Sequence, residues 1–137
     1  MFEHILLAVN RSESSQKAAD VAADIAQKCR AEVVVLHIRE RQITKFRGYD
    51  VEQPDGAAEF VEELVRALKD AGVSARGEVQ TATTGSVPRV ILEAAREQDA
   101  GLIVMGSRRQ SELDELFLEG VTHRVVRLAE CPVFVVR

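Results

Sequence analysis

The chain has 137 residues, of which 46% are hydrophobic, 29% charged and 4% aromatic. That length predicts one domain over residues 1–137, and the apolar fraction excludes an intrinsically disordered chain. Eighteen Lys and Arg against twenty-two Asp and Glu leave a net charge of −4, which argues against a dedicated nucleic-acid binder, because such proteins usually carry a basic face.

In chain order, Ile5-Leu6-Leu7-Ala8-Val9 is a continuous apolar run and reads as a strand buried on both faces. Ser12, Ser14 and Ser15 offer caps for a helix ending near Arg30, with Ala18, Val21, Ala22, Ile25, Ala26 and Cys29 at helical spacing. Val33-Val34-Val35-Leu36-His37-Ile38 is a second buried strand. Residues 39–56 read as one long unstructured connection. It carries Arg39, Arg41, Lys45 and Arg47, then Asp50, Glu52 and Asp55, with Phe46 and Tyr49 among them. Such a segment is either a solvated connection or a lid or subunit contact.

Residues 57–71 form a second helix through Phe60, Val61, Leu64, Val65 and Leu68, and Gly72 is its natural stop. Residues 75–83 set Val79 among charged neighbours, the pattern of a half-exposed edge strand. Ser86 is placed to cap a third helix, with Pro88 in its first turn and Val90, Ile91, Ala94 and Ala95 facing inward. Leu102-Ile103-Val104-Met105 is another buried strand, ended by Gly106. A fourth helix starts near Gly120 with Val121, Val125, Val126, Leu128 and Ala129, and Pro132 blocks its continuation. Val133-Phe134-Val135-Val136 is the terminal strand.

Strands and helices therefore alternate, which predicts an α/β fold: a doubly wound, mainly parallel five-stranded sheet with helices on both faces. No apolar run approaches the roughly 20 residues that span a bilayer. Met1-Phe2-Glu3-His4 lacks the basic region of a signal peptide, so the expectation is a cytoplasmic protein with no membrane partner. Cys29 and Cys131 are too few for a zinc site and lie among apolar neighbours, which predicts inert core thiols.

In open α/β sheets ligands bind beyond the carboxyl ends of the strands, where the strand order reverses. The residues leaving the first strand are Asn10, Arg11 and Ser12. Arg39 and Glu40 leave the second, and Gly106, Ser107, Arg108 and Arg109 leave the fourth. These groups are expected around one crevice.

Taken together, the opening run through Asn10-Arg11-Ser12-Glu13, Leu36-His37-Ile38, Gly85-Ser86-Val87-Pro88 with Ile91-Leu92-Glu93-Ala94-Ala95, Leu102 through Arg108, and Cys131 through Val136 resemble the universal stress protein family. The resemblance covers essentially the whole chain. It implies the strand order 3-2-1-4-5 and a homodimer joined through the C-terminal strand, with any protein client unidentified. It also implies an adenine-nucleotide site at Ala8, Val9 and Asn10, Ile38, Met105 and Gly106, and Arg109, Glu119, Gly120, Val121 and Thr122.

The ATP-binding members of that family carry G-x-x-G-x9-G-[ST], in which glycines let backbone N–H groups approach phosphates and a hydroxyl closes the loop. On this chain Gly106 keeps the first glycine, Arg109 and Glu119 take the other two, and Gly120 takes the hydroxyl position. Thr122 follows two residues on. A carboxylate at Glu119 repels phosphate by about 1 to 4 kcal/mol at roughly 4 Å. Between Ser107 and Glu119 stand Arg108 and Arg109 against Glu112, Asp114, Glu115 and Glu119, an acidic balance unsuited to a phosphate loop. Asn10 replaces the family's Asp and loses its charge. Against this, Arg11, Arg108 and Arg109 offer phosphate-binding side chains.

Among other candidates, His37 reads as a core histidine, His4 as a surface residue, and His123 as a helix-surface partner of Glu119. No Ser-His-Asp arrangement, metal set, phosphate-loop or dinucleotide fingerprint is present. The leading expectation is a non-catalytic stress-response or signalling module with a degenerate nucleotide site and no tight cofactor. The alternative is an ATP- or AMP-binding member with slow or no hydrolysis. A flavin-binding domain of the same architecture is disfavoured by the scarcity of aromatics.

Overall fold

The computed structural model describes residues 2–43, 48–50, 53–107 and 120–137. Among them the chain runs β1 (His4–Val9), α1 (Glu13–Cys29), β2 (Glu32–Ile43), β3 (Gly48–Asp50), α2 (Pro54–Asp70), β4 (Ser74–Thr83), a 3-10 turn (Thr84–Ser86), α3 (Val87–Glu97), β5 (Leu102–Gly106), α4 (Val121–Leu128) and β6 (Val133–Val136). Five parallel strands stand in the order β4-β2-β1-β5-β6, the expected 3-2-1-4-5. The segment expected at an edge, β4, pairs with β2 alone.

Because successive strand residues face opposite ways, each central strand splits its apolar run between two cores. Ile5, Leu7, Val9, Val33, Val35 and Val104 pack with Ala18, Ala22 and Ala26 of α1 and Val61, Leu64 and Leu68 of α2. Leu6, Ala8, Val34, Leu36, Ile103 and Met105 pack with Val87, Ile91 and Ala94 of α3 and Val125 of α4. This is why the runs are continuous rather than alternating: both faces are covered. Leu6 and Leu7, both fully buried, serve different cores, and truncating either to Ala costs about 2 to 5 kcal/mol.

Local signals set the helix ends. The Ser12 hydroxyl accepts from the Ser15 N–H at 3.3 Å and caps α1. Gly72 follows α2 at φ 81°, a conformation that favours glycine. Ser86 precedes α3, but its hydroxyl pairs with Thr83 Oγ1 at 2.9 Å instead of capping the helix. The 3-10 turn brings those two hydroxyls together, so the expected cap is not made.

Two further expectations are corrected. Residues 39–56 are not one unstructured connection: β2 continues to Ile43, β3 pairs antiparallel with it, and α2 begins at Pro54. Arg41 pairs with Thr83 of β4 and with Asp50 of β3, so these lie on opposite edges of β2. Thus β3 continues the edge that β1 occupies, beyond the carboxyl end of β1. Backbone pairing holds this extension although Arg41 and Gln42 are exposed. Lys45, Phe46, Arg47 and Glu52 lie outside the described residues.

The second correction concerns Cys29, which is not a core thiol, whereas Cys131 packs against the core under α3 and α4. Cys29 is exposed and Cys131 half-buried, both free. Residues 27–30 at the end of α1 are exposed throughout, because the helix there has passed its buried Ala26 and the chain turns to enter β2. His4 is exposed, as expected, and His37 is buried.

Candidate functional site

The strand order reverses at β1, with β2 on one side and β5 on the other, so the carboxyl ends of these strands open a crevice. Ala8 lies beside Met105 and Val9 beside His37 in the sheet. Ala8, Val9, Asn10, Ile38, Met105, Gly106, Val121 and Thr122 line one cleft there, on the face covered by α3 and α4. Gly120 caps α4 but is not part of the lining. Arg108, Arg109 and Glu119 lie outside the described residues, as does the expected His123–Glu119 pair.

The sequence reading missed Leu36, Val87 and Ile91, which form apolar wall, and Ser15 and His37, whereas Glu40, expected at the crevice, is part of its lining. Ser15 had a legible signal: it stands in the first helical turn after the end of β1. His37 is buried, as read, and borders the cleft, but its ring turns to the α2 face of the sheet, with Nδ1 3.0 Å from the Val9 carbonyl oxygen. Its ring meets Phe60 edge-on at 5.0 Å.

A closed set of hydrogen bonds builds the turn from β1 into α1. The Asn10 N–H donates to Ser15 Oγ at 2.8 Å, and the Ser15 hydroxyl donates back to Asn10 Oδ1 at 3.0 Å. The Ser12 N–H also donates to Asn10 Oδ1, at 2.8 Å. That oxygen has two lone pairs, and both are engaged. Next to it, the Ser14 hydroxyl donates to the Ser107 carbonyl at 2.9 Å and ties α1 to the end of β5.

Gly106 lies under this turn. A Cβ there would stand 2.5 Å from Ser14 Oγ and 2.7 Å from the Ser14 carbonyl carbon. The glycine is therefore demanded by the packing of α1 on β5, whatever the cleft binds. The Thr122 hydroxyl donates to the Gly106 carbonyl at 3.1 Å and so joins α4 to β5. Gly120 offers no side-chain cap to α4, and a Cβ there would meet nothing within 4 Å among the described residues.

Arg11, one candidate for binding phosphate by its side chain, turns to α2. Its Nη2 donates to the Gly56 carbonyl at 3.0 Å, and its guanidinium lies 4.7 Å from the Phe60 ring centroid. This stack is on the opposite face of the sheet from α3 and α4, and it lines a second cleft with Gln16 and Leu64, which shares Asn10 and Ser15 with the first. An exposed cation–π contact of this kind is worth about 0.5 to 1 kcal/mol. Among the described residues no cluster of His, Cys, Asp or Glu is placed to hold a metal ion. None of their helices is long and apolar enough to cross a membrane.

Comparison with known proteins agrees with this architecture. The sequence model of the universal stress protein family matches residues 1–137. The universal stress protein YxiE of Bacillus subtilis is 35% identical, with 100% of each chain covered. The solved universal stress protein of Archaeoglobus fulgidus superposes with a TM-score of 0.76 at 23% identity, covering 100% of both chains. A universal stress protein from the same organism in complex with dAMP superposes with a TM-score of 0.72 at 20% identity, over 100% of this chain and 98% of that one. These likenesses cover the full chain rather than a fragment of it, and this chain belongs to the universal stress protein family.

Proposed function

We propose that this chain is a non-catalytic stress-response and signalling module of the cytoplasm whose adenine-nucleotide site is degenerate, so that ATP binds weakly or not at all. The observation that carries the reading is the series Gly106, Arg109, Glu119 and Gly120, in which one family glycine remains and the closing hydroxyl is gone. The surroundings support it. The retained Gly106 has a packing reason of its own, so its presence is no sign of phosphate binding. The Thr122 hydroxyl is spent on the Gly106 carbonyl, and Arg11 is spent on α2. An arginine and a carboxylate in the two other glycine positions add bulk and negative charge where phosphates would rest.

The module acts as a homodimer joined through β6. That strand ends the sheet, is apolar over Val133–Val136, and leaves Phe134 47% exposed. The opposite edge, β4, is blunted by Arg76 and Glu78. Unprotected apolar edges are normally paired, and a two-fold pairing of β6 with its copy covers both at once.

The dAMP complex of a family member favours a second reading, an AMP- or ATP-binding protein with slow or no hydrolysis. Mass analysis of the nucleotide released on denaturing freshly purified protein separates the two. The first reading expects no adenine nucleotide. Stoichiometric AMP or ATP would overturn it.

A further inference from the structure

The ladder between β1 and β2 ends at Val9 and His37, where β1 turns away through Asn10 into α1, yet β2 runs on to Ile43. On its far edge β4 follows it to Arg41, opposite Thr83. On the edge that β1 has left, no described strand stands beside residues 38–40, and β3 takes that edge at Arg41–Ile43. The sheet therefore carries a notch, bounded at one end by the close of β1 and at the other by β3. From the His37 position to the Arg41 position is about 13 Å of strand, at roughly 3.3 Å per residue.

This notch adjoins the cleft. Residues two apart share one face of a strand, and Leu36, Ile38 and Glu40 of β2 all line the cleft, with Val9 and Asn10 on the β1 side. One wall of the cleft thus follows β2 from the level of β1 to the level of β3, and ends one residue short of the Arg41–Asp50 pair. Among the described residues β3 is a strand of 3 residues that pairs with β2 alone. A two-stranded ribbon of that length is marginal by itself, so a body seated in the notch would order it. The arm also stands apart from the phosphate positions. Gly106 ends β5, which lies across β1 from β2.

We propose that this arm, the end of β2 together with β3, is the outer wall of the ligand pocket and clamps the base and sugar of a nucleoside seated at the end of β1. This rests on the reading of the cleft as a nucleoside pocket that has lost its hold on the phosphates. The arm flanks the part of the ligand remote from Gly106, so its contribution is the same for a nucleoside and its monophosphate.

Adenosine and AMP are the probes. Amide chemical shifts are followed in the wild-type protein and in a variant with residues 42–49 replaced by Asn-Gly, a usual two-residue closure of an antiparallel pair such as Arg41–Asp50. In the wild type the Gln42 and Tyr49 amides are expected to shift along the same binding curve as Met105 and Val121, and to exchange hydrogen more slowly at saturation. The shortened variant is expected to bind both probes about tenfold more weakly, the worth of roughly 55 Å² of buried apolar contact. Saturation at Met105 and Val121 with Gln42 and Tyr49 unmoved overturns the proposal. So does a folded shortened variant that binds within about twofold of the wild type, a loss confined to AMP, or no binding of either probe at millimolar concentration. If circular dichroism shows the variant unfolded, the wild-type shifts and exchange decide. Tight binding of Mg-ATP would overturn the preceding reading and leave the arm's role standing, so the two fail separately.

Discussion

Gly106 and Ser14 approach so closely that no side chain fits between them: a Cβ at 106 would lie 2.5 Å from Ser14 Oγ and 2.8 Å from the Ser15 nitrogen. The Ser15 atom is backbone, so it cannot swing aside. The glycine that most resembles a phosphate-binding residue is thus also a packing residue, where β5 meets the start of α1.

Gly106→Ala is accordingly expected to destabilise the fold by about 1 to 3 kcal/mol, the usual cost of overpacking. Gly120 is the contrast. Its φ of −65° suits any residue and a Cβ there meets nothing within 4 Å among the described residues. Gly120→Ser is expected to be neutral or to stabilise α4 by a few tenths of a kcal/mol, as a better cap. Urea denaturation of both variants checks the pair, and a neutral Gly106→Ala would contradict the packing account.

The dimer is expected to sediment as such at low micromolar concentration. Phe134 is half-exposed within one chain, so Phe134→Lys costs the domain little while placing a charge in the seam. Sedimentation of that variant is expected to show a folded monomer. A wild-type monomer would reject the β6 seam.

The two thiols are expected to differ in reactivity. Cys29 is exposed, whereas Cys131 is half-buried and burial raises its pKa above the ordinary thiol value. A raised pKa leaves less thiolate at any pH below it, and the thiolate is the nucleophile. Alkylation at mildly alkaline pH followed by mass spectrometry is expected to mark Cys29 first, with Cys131 catching up as the pH rises. Faster labelling of Cys131 would contradict the burial assigned to it.

Restoring the lost positions tests the loop directly. Arg109→Gly with Glu119→Gly is expected to tighten Mg-ATP binding at least tenfold by removing bulk and a charge worth about 1 kcal/mol or more. Adding Gly120→Ser is expected to tighten it further. No gain would mean that something other than these three side chains sets the affinity.

The sheet was legible because Ile5 to Val9, Val33 to Ile38 and Leu102 to Met105 are continuous apolar runs, which only a strand covered on both faces requires. The tail of β2 was not, because Arg41 and Gln42 are exposed and held by backbone pairing, which leaves no periodicity in the sequence. Cys29 misled for a related reason: helical spacing continues through the last turn of α1, although its burial stops at Ala26. At the cleft, topology located the ends of β1, β2 and β5, but not how their polar groups are spent. Ser12 and Ser15 read as cap candidates and Asn10 as a crevice residue, and only their geometry shows one closed circuit that engages the Asn10 oxygen.

Calorimetric titration of the wild-type protein with Mg-ATP addresses the degenerate site most directly. The account predicts no binding, or binding weaker than the micromolar range. A dissociation constant in the micromolar range or below would contradict it.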